Sequence, residues 1–288
     1  MQLTSCRYRG ADRIGILTGT SVDLISTDGK WPQSMLALID AGPALWSALA
    51  SDPRSALDRR VPLAEVELCA PIPRPRKNIM CLGWNYAEHV RESAGNRDAE
   101  VPEHPVVFTK NTTSVNGPYD AIPWNPELTK ELDWEVELAV VVGLGGRNIP
   151  VSEALRHVFG YTVINDVSAR DLQFRHKQFF LGKSLDGTCP MGPVIVTADE
   201  IPDPQQLELR TWVNGEIKQS SSTRHQVFGV ATVLSILSRG MTLEPGDIIS
   251  TGTPSGVGFA RKPPEFLKPG DLVECEILGI GRLRNPVR

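Results

Sequence analysis

The sequence predicts an α+β chain, mostly β, in which a small N-terminal α+β domain precedes a larger strand-rich one. Three observations carry this. Short β-branched runs recur between residues 106 and 277, helical patterns are few, and a stretch of alternating prolines divides the chain: Ala70-Pro71-Ile72-Pro73-Arg74-Pro75-Arg76-Lys77. Alternate prolines block a helix and remove strand donors, so the stretch reads as an extended connector. The expected domains are therefore 1–70 and 71–288. Many short strands with few helices suggest a barrel or a layered sheet roll for the second.

Taken in order, 13–17 and 21–25 read as strands, and 33–41 and 43–50 as amphipathic helical segments. Beyond the connector, strands are expected at 106–109, 136–142, 161–164, 194–196, 207–213, 247–250 and 272–277, with Gly, Pro and Asp between them. Helices are expected at 152–158 and 227–238, the second ending at Arg239-Gly240, a glycine C-cap signal.

Composition narrows the function. The chain has 288 residues, 41% of them apolar and 22% charged, which is ordinary for a folded protein with a normal core. The net charge is −4 and no basic block tracks along the chain, so nucleic acid is not an expected partner. The five cysteines (Cys6, Cys69, Cys81, Cys189 and Cys275) are widely spaced and form no C-x-x-C pair, which fits a reducing compartment. Arg7 and Arg9 are followed by no apolar stretch, and no run reaches the roughly 20 apolar residues a membrane span needs. A soluble, cytoplasmic protein without a membrane partner is expected.

The most informative stretch is Asp133-Trp134-Glu135-Val136-Glu137-Leu138-Ala139-Val140-Val141-Val142. Strand residues two apart share a face, so Glu135 and Glu137 lie with Ala139 and Val141, opposite Trp134, Val136, Leu138 and Val140. Two carboxylates leading into a run of valines are costly unless something positive holds them. A bound cation is the simplest partner; a solvated strand end with surface lysines is the alternative. Asp166, just after the apolar run Tyr161-Thr162-Val163-Ile164, adds a third carboxylate. Three monodentate carboxylates suit Mg²⁺ or Mn²⁺ and leave about three octahedral positions for water and substrate oxygens.

Other residues could join such a site. Asn85 reads as an N-cap, which places His89 and Glu92 at i and i+3 on one helical face. A carboxylate beside an imidazole orients it as a general base. Lys183, after Phe179-Phe180-Leu181-Gly182, would seek an anion if buried, or else snorkel to water. Arg170 and Gln173 share helical spacing and could clamp a carboxylate, although a salt bridge to Asp171 or another neighbour would also occupy Arg170. The loop Ser250-Thr251-Gly252-Thr253-Pro254-Ser255-Gly256-Val257-Gly258 lacks a Walker lysine. It reads as a tight turn offering hydroxyls and N–H groups to a small anion, or as a structural turn.

Together these stretches resemble the fumarylacetoacetate hydrolase superfamily. The landmarks are Gly83-Trp84-Asn85-Tyr86-Ala87-Glu88-His89, Asp133-Trp134-Glu135-Val136-Glu137, Asn165-Asp166-Val167-Ser168-Ala169-Arg170-Asp171, Gly182-Lys183-Ser184 and Thr251-Gly252-Thr253-Pro254-Ser255-Gly256-Val257-Gly258. They run in order from about Lys77 to the C-terminus, and the short N-terminal part is most like the small domain-containing members. The resemblance implies a β-roll-like set of mixed sheets and a homodimer. It implies Glu135, Glu137 and Asp166 as ligands of Mg²⁺ or Mn²⁺, and His89 with Glu92 as an acid/base dyad. Lys183 is implied at the substrate oxygen, with Arg170, Gln173 and Thr253 at its carboxylate end. Trp84 occupies a variable position, where an indole would narrow the entrance.

The implied enzyme acts on a small 2-oxo acid or dicarbonyl compound through an enolate that the metal stabilises. Hydrolysis of a C–C bond in an acylpyruvate-type 1,3-dicarbonyl is the first expectation, with His89 and Glu92 activating water. Oxaloacetate decarboxylation or keto–enol tautomerisation is the second, and isomerisation of a dienoic dicarboxylate from aromatic catabolism the third. A non-catalytic dicarboxylate binder is the alternative outside enzymes, and a general base argues against it.

Overall fold

Why the strand Val136–Val142 lies at the centre follows from its composition. Every one of its residues is buried, as expected of a β-branched run covered on both faces. Trp134, Val136, Leu138, Val140 and Val142 enter one apolar cluster, and Ala139 and Val141 another. The alternation expected from the sequence is thus the observed one.

The computed structural model describes residues 1–94 and 100–288. It is α+β and mostly β. Among the described residues, one mixed sheet runs through Leu57–Pro62, Ser21–Ile25, Ala11–Thr18, Gln2–Tyr8, Cys189–Thr197, Val158–Asn165, Val136–Val142, Ile248–Ser250, Ile79–Gly83 and Val106–Lys110. Glu67–Cys69 and Val115–Asn116 join it at its side, pairing with Gln2–Tyr8 and Cys189–Thr197. A second, antiparallel sheet of Glu216–Ser222, Glu208–Val213, Leu272–Ile277 and Gly281–Pro286 packs against the first. Its Leu209, Val273, Ile277 and Leu283 share a core with Val136, Leu138, Val163 and Val194, and the helix Val230–Gly240 closes that core with Val233, Leu234 and Leu237.

The N-terminal residues belong to the same sheet. Gln2 and Leu3 pair with Val196 and Ile195, and the helices Met35–Asp40 and Pro43–Ser51 bury Leu38, Ile39 and Leu49 in the cluster that holds Ala139, Val141 and Ile164. The proline stretch at 70–77 therefore marks a crossing in the chain, with a core continuous on both sides of it. Ser34 caps the first helix through its hydroxyl, which accepts from the Ala37 N–H.

Three local expectations are corrected. Residues 152–158 do not form an α-helix: Val151–His157 is a 3-10 stretch, and Val158 already opens a strand. Gly240 is the last residue of its helix, with Met241 in the cap position. Asn85 does not cap the helix Ala87–Ala94. Its amide donates to the carbonyls of Phe228 and Thr251 and accepts from the Phe228 N–H, tying together two loops of the site.

Candidate active site

Glu135 and Glu137 stand at the start of the central strand, and Asp166 directly follows its neighbour Val158–Asn165, whose end pairs with Val136. The three carboxylates are buried, and one oxygen from each lies within 4.8 Å of the others. Cationic and polar anchors hold them. Lys183 donates to Glu135 Oε2 at 2.7 Å and to Asp166 Oδ2 at 2.8 Å. Arg170 reaches Glu135 Oε1 at 2.6 Å and Asp133 Oδ2 at 2.9 Å. Lys110 Nζ lies 2.7 Å from Asp166 Oδ1, although that oxygen receives no well-directed hydrogen bond. Among the described residues no ammonium or guanidinium pairs with Glu137; its Oε2 accepts from Ser250 Oγ at 2.6 Å and the Gly252 N–H at 2.8 Å.

The electrostatics follow from this arrangement. Burial works to raise the Glu135 carboxyl, but the charges of Lys183 and Arg170 outweigh it and hold the group at about 2. Burial, with Asp166 and Glu135 alongside, pushes Glu137 well above the usual carboxylate range. Burial also opposes the charge on Lys183, yet Asp166 and Glu135 keep its amine above the ordinary lysine value. Four buried carboxylates, counting Asp133, thus face three buried cations. A dication held by Glu135, Glu137 and Asp166 would fit this oxygen-only donor set, because it would relieve the repulsion among these buried carboxylates. It also leaves the floor net positive for an anionic substrate.

His89 and Glu92 lie on one face of the helix Ala87–Ala94, with Nδ1 3.0 Å from Glu92 Oε1. Glu92 is itself fixed by the Gly256 N–H, which reaches its two oxygens at 3.0 and 2.9 Å. The Nε2 of His89 has no hydrogen-bond partner among the described residues. With His89, Glu135, Glu137, Arg170, Gln173, Lys183 and Thr253, the chain lines one cavity of about 590 Å³. Asp166 and Glu92 stand one layer behind that lining.

The other candidates are engaged within the protein. For Arg170 the salt-bridge alternative is the one seen, with Asp133 and Glu135 as partners in place of Asp171, and Nη1 donates to Gln173 Oε1. The uncommitted donor is Gln173 Nε2, which has no partner among the described residues. Thr253 donates its hydroxyl to the Val136 carbonyl and accepts from Gln219, so it braces the loop against the strand. The glycine loop does cradle anions, but they are the chain's own. Gly252 N–H serves Glu137, Gly256 N–H serves Glu92, and the N–H groups of Gly258 and Phe259 serve Asp133. At Gly258 a Cβ would run into the Glu265 carbonyl and Asp133 Oδ1, which is why the close approach needs glycine there.

Lys110 and Asp133 are the functional-looking residues that sequence reasoning did not single out. The signal for Lys110 is alternation: Val106 and Phe108 line the cavity, and two residues on Lys110 is fully buried beside Asp166. A lysine on a buried strand face needs an anion.

Residues 78–288 match the family model described as fumarylacetoacetate (FAA) hydrolase C-terminal. The chain belongs to the fumarylacetoacetate hydrolase family. It is 52% identical over 225 residues to oxaloacetate tautomerase YisK of Bacillus subtilis, an alignment spanning 78% of this chain and 74% of that protein. The structure of fumarylacetoacetate hydrolase from the psychrophile Exiguobacterium antarcticum aligns over 100% of this chain and 99% of its own, with 43% identity and a TM-score of 0.87. That of maleylpyruvate hydrolase from Sphingobium sp. SYK-6, in complex with manganese(II) ion and pyruvate, aligns over 100% and 98%, with 30% identity and a TM-score of 0.79. The chain is an enzyme of this family.

Proposed function

We propose that the protein is a keto–enol tautomerase of a small 2-oxo acid, with oxaloacetate as a substrate and Mg²⁺ or Mn²⁺ held by Glu135, Glu137 and Asp166. The observation that carries this reading is a histidine base over a charged floor. His89 lines the cavity, Glu92 fixes its Nδ1, and its Nε2 has no hydrogen-bond partner among the described residues. Identity supports the choice among reactions, since the relative at 52% is named an oxaloacetate tautomerase and those named hydrolases stand at 43% and 30%. Manganese in the maleylpyruvate hydrolase structure supports the metal.

A divalent cation at the floor supplies Lewis-acid stabilisation of the charge that develops on the 2-oxo oxygen. The chain does the rest. Glu92 accepts from Nδ1–H and so leaves the Nε2 lone pair directed at the cavity, where it takes the proton from C3 of the keto acid or, protonated, returns it to the enol. Lys183 adds positive charge beside the same oxygen, and Gln173 Nε2 offers a neutral donor for a carboxylate. Arg170 acts through Glu135 and Asp133, keeping the floor in place.

The test is an ultraviolet assay of enol disappearance with oxaloacetate, run beside detection of pyruvate and of acylpyruvate cleavage. Ketonisation without pyruvate release is expected, and His89→Asn should lower kcat about 10²–10⁴-fold. Stoichiometric cleavage of acylpyruvates, with no effect on enol decay, would replace this reading by hydrolysis. For assembly we propose a homodimer, supported by the exposed Phe180 and Leu181 and the edge strand Val106–Lys110 with its exposed Val107. Light scattering that returns the monomer mass would reject it.

A further inference from the structure

Above the charged floor the cavity is walled by aromatic rings. Trp84, Phe179 and Phe108 meet edge to face, with centroids 6.2 and 5.4 Å apart. Phe174 and Phe259 do the same at 5.6 Å, and all five rings line the cavity. Each group starts from a cation of the floor: Lys183 Nζ lies 5.1 Å from the Phe108 centroid, and the Arg170 guanidinium 4.4 Å from that of Phe259. Trp84 holds a left-handed backbone with φ 56°. Such a conformation is unfavourable for a bulky residue and persists only where its surroundings impose it. Here the Asn85 amide, bonded to Phe228 and Thr251, fixes the following residue, and the indole remains at the cavity wall 41% exposed.

A four-carbon diacid neither fills about 590 Å³ nor matches these walls. Its distal carboxylate would lie among the rings. Among the described lining residues the cationic side chains are Arg170 and Lys183, both already paired with the protein's own carboxylates, and the exposed Glu100 adds another negative charge. An apolar, flat substituent matches these walls better than a second carboxylate does.

We propose that the site also interconverts arylpyruvates and their enols, with the 2-oxo acid head on the charged floor and the aryl ring against the aromatic walls. This rests on the tautomerase reading and names a further substrate class for it. In the enol-to-keto direction the enol O–H bond breaks and its proton leaves to solvent. The C2–C3 π pair becomes a new C3–H bond, with the proton supplied by protonated His89, and the oxygen pair closes the carbonyl. His89 regains a proton from solvent, so no oxidant or co-reactant is needed.

The experiment offers the enols of phenylpyruvate and of oxaloacetate to the protein loaded with Mg²⁺ or Mn²⁺, and follows enol absorbance above the buffer rate. Both enols should ketonise faster, with kcat/KM for phenylpyruvate at least equal to that for oxaloacetate. Phe174→Ser and Phe179→Ser should lower the aryl-to-diacid ratio of kcat/KM about tenfold, the scale of a lost apolar pocket contact. Phe174 is 57% exposed, so its replacement leaves the fold intact. Acceleration of oxaloacetate enol alone overturns the aryl proposal and leaves the tautomerase reading standing. An equal fall for both substrates in the two variants overturns the role of the walls, and acceleration of neither enol overturns both readings.

Discussion

Two ion-pair regions of the same sheet make opposite use of similar geometry. Near the N-terminal edge, Arg60 grips Asp23 on the neighbouring strand at 2.6 and 2.8 Å. At the site, Glu135 meets Arg170 at 2.6 Å and Lys183 at 2.7 Å, and Asp166 meets Lys183 at 2.8 Å. The distances barely differ, but the surroundings do. The Arg60 side chain is 64% exposed, whereas none of those four site side chains exceeds 5%. An exposed pair is cheap to make and worth little. A buried cluster carries a desolvation cost that hydrophobic packing would avoid, so its retention is explained by the chemistry it permits.

The strongest way to break this contrast is Lys183→Met. It leaves Glu135 and Asp166 without the ammonium they share, and removing one partner of a buried pair costs about 3–5 kcal/mol. Urea unfolding in chelator should show that loss. Saturating Mg²⁺ or Mn²⁺ should restore part of it, because an ion that binds only the folded state stabilises by mass action. A loss of under about 1 kcal/mol in chelator, typical of surface pairs, would show that the cluster behaves like the Asp23–Arg60 pair.

Glu137→Gln sharpens the comparison from the other side. Glu137 pairs with no cation among the described residues, and a glutamine oxygen can still accept from Ser250 Oγ and the Gly252 N–H. Stability in chelator should therefore change by about 1 kcal/mol or less, since shape and hydrogen bonds are kept. Calorimetry should nevertheless show metal affinity falling by more than about 100-fold, a larger loss than changing an outer-layer partner causes. Retained affinity would remove Glu137 from the ligand set.

The same contrast separates what the sequence made legible from what it did not. Strand parity at Glu135 and Glu137 and helix spacing at His89 and Glu92 are local, so period alone placed them. The strand Glu216–Ser222 buries only Gln219 and Ser222, and the strand Gly281–Pro286 carries two arginines and buries only Leu283 and Asn285, so neither shows an apolar run. The partners of the buried charges are non-local: Lys110 and Asp166 come from separate strand ends, and Asp133 gathers Arg170 and two N–H groups of the glycine loop. Spacing finds a carboxylate, but only the fold shows which cation it meets. That is why the sequence leaves Arg170 open between a substrate clamp and a salt bridge, and the fold alone shows it paired with Asp133 and Glu135.

Asp23→Asn should give the smallest effect and is the control for the comparison. The hydrogen bonds from Arg60 lower the Asp23 carboxyl below its ordinary range, against the opposing effect of partial burial. A depressed carboxyl contributes stability above the ordinary aspartate range of about 4, and that contribution is lost as pH falls through the lowered value. The melting temperature of the variant should thus lie slightly below that of the unmodified protein at neutral pH, and the gap should close on acidification. Added salt should narrow it as well, because Arg60 stands in solvent. A gap as large as that of Lys183→Met, or one insensitive to salt, would mean that burial of one partner is enough to make a pair costly to break.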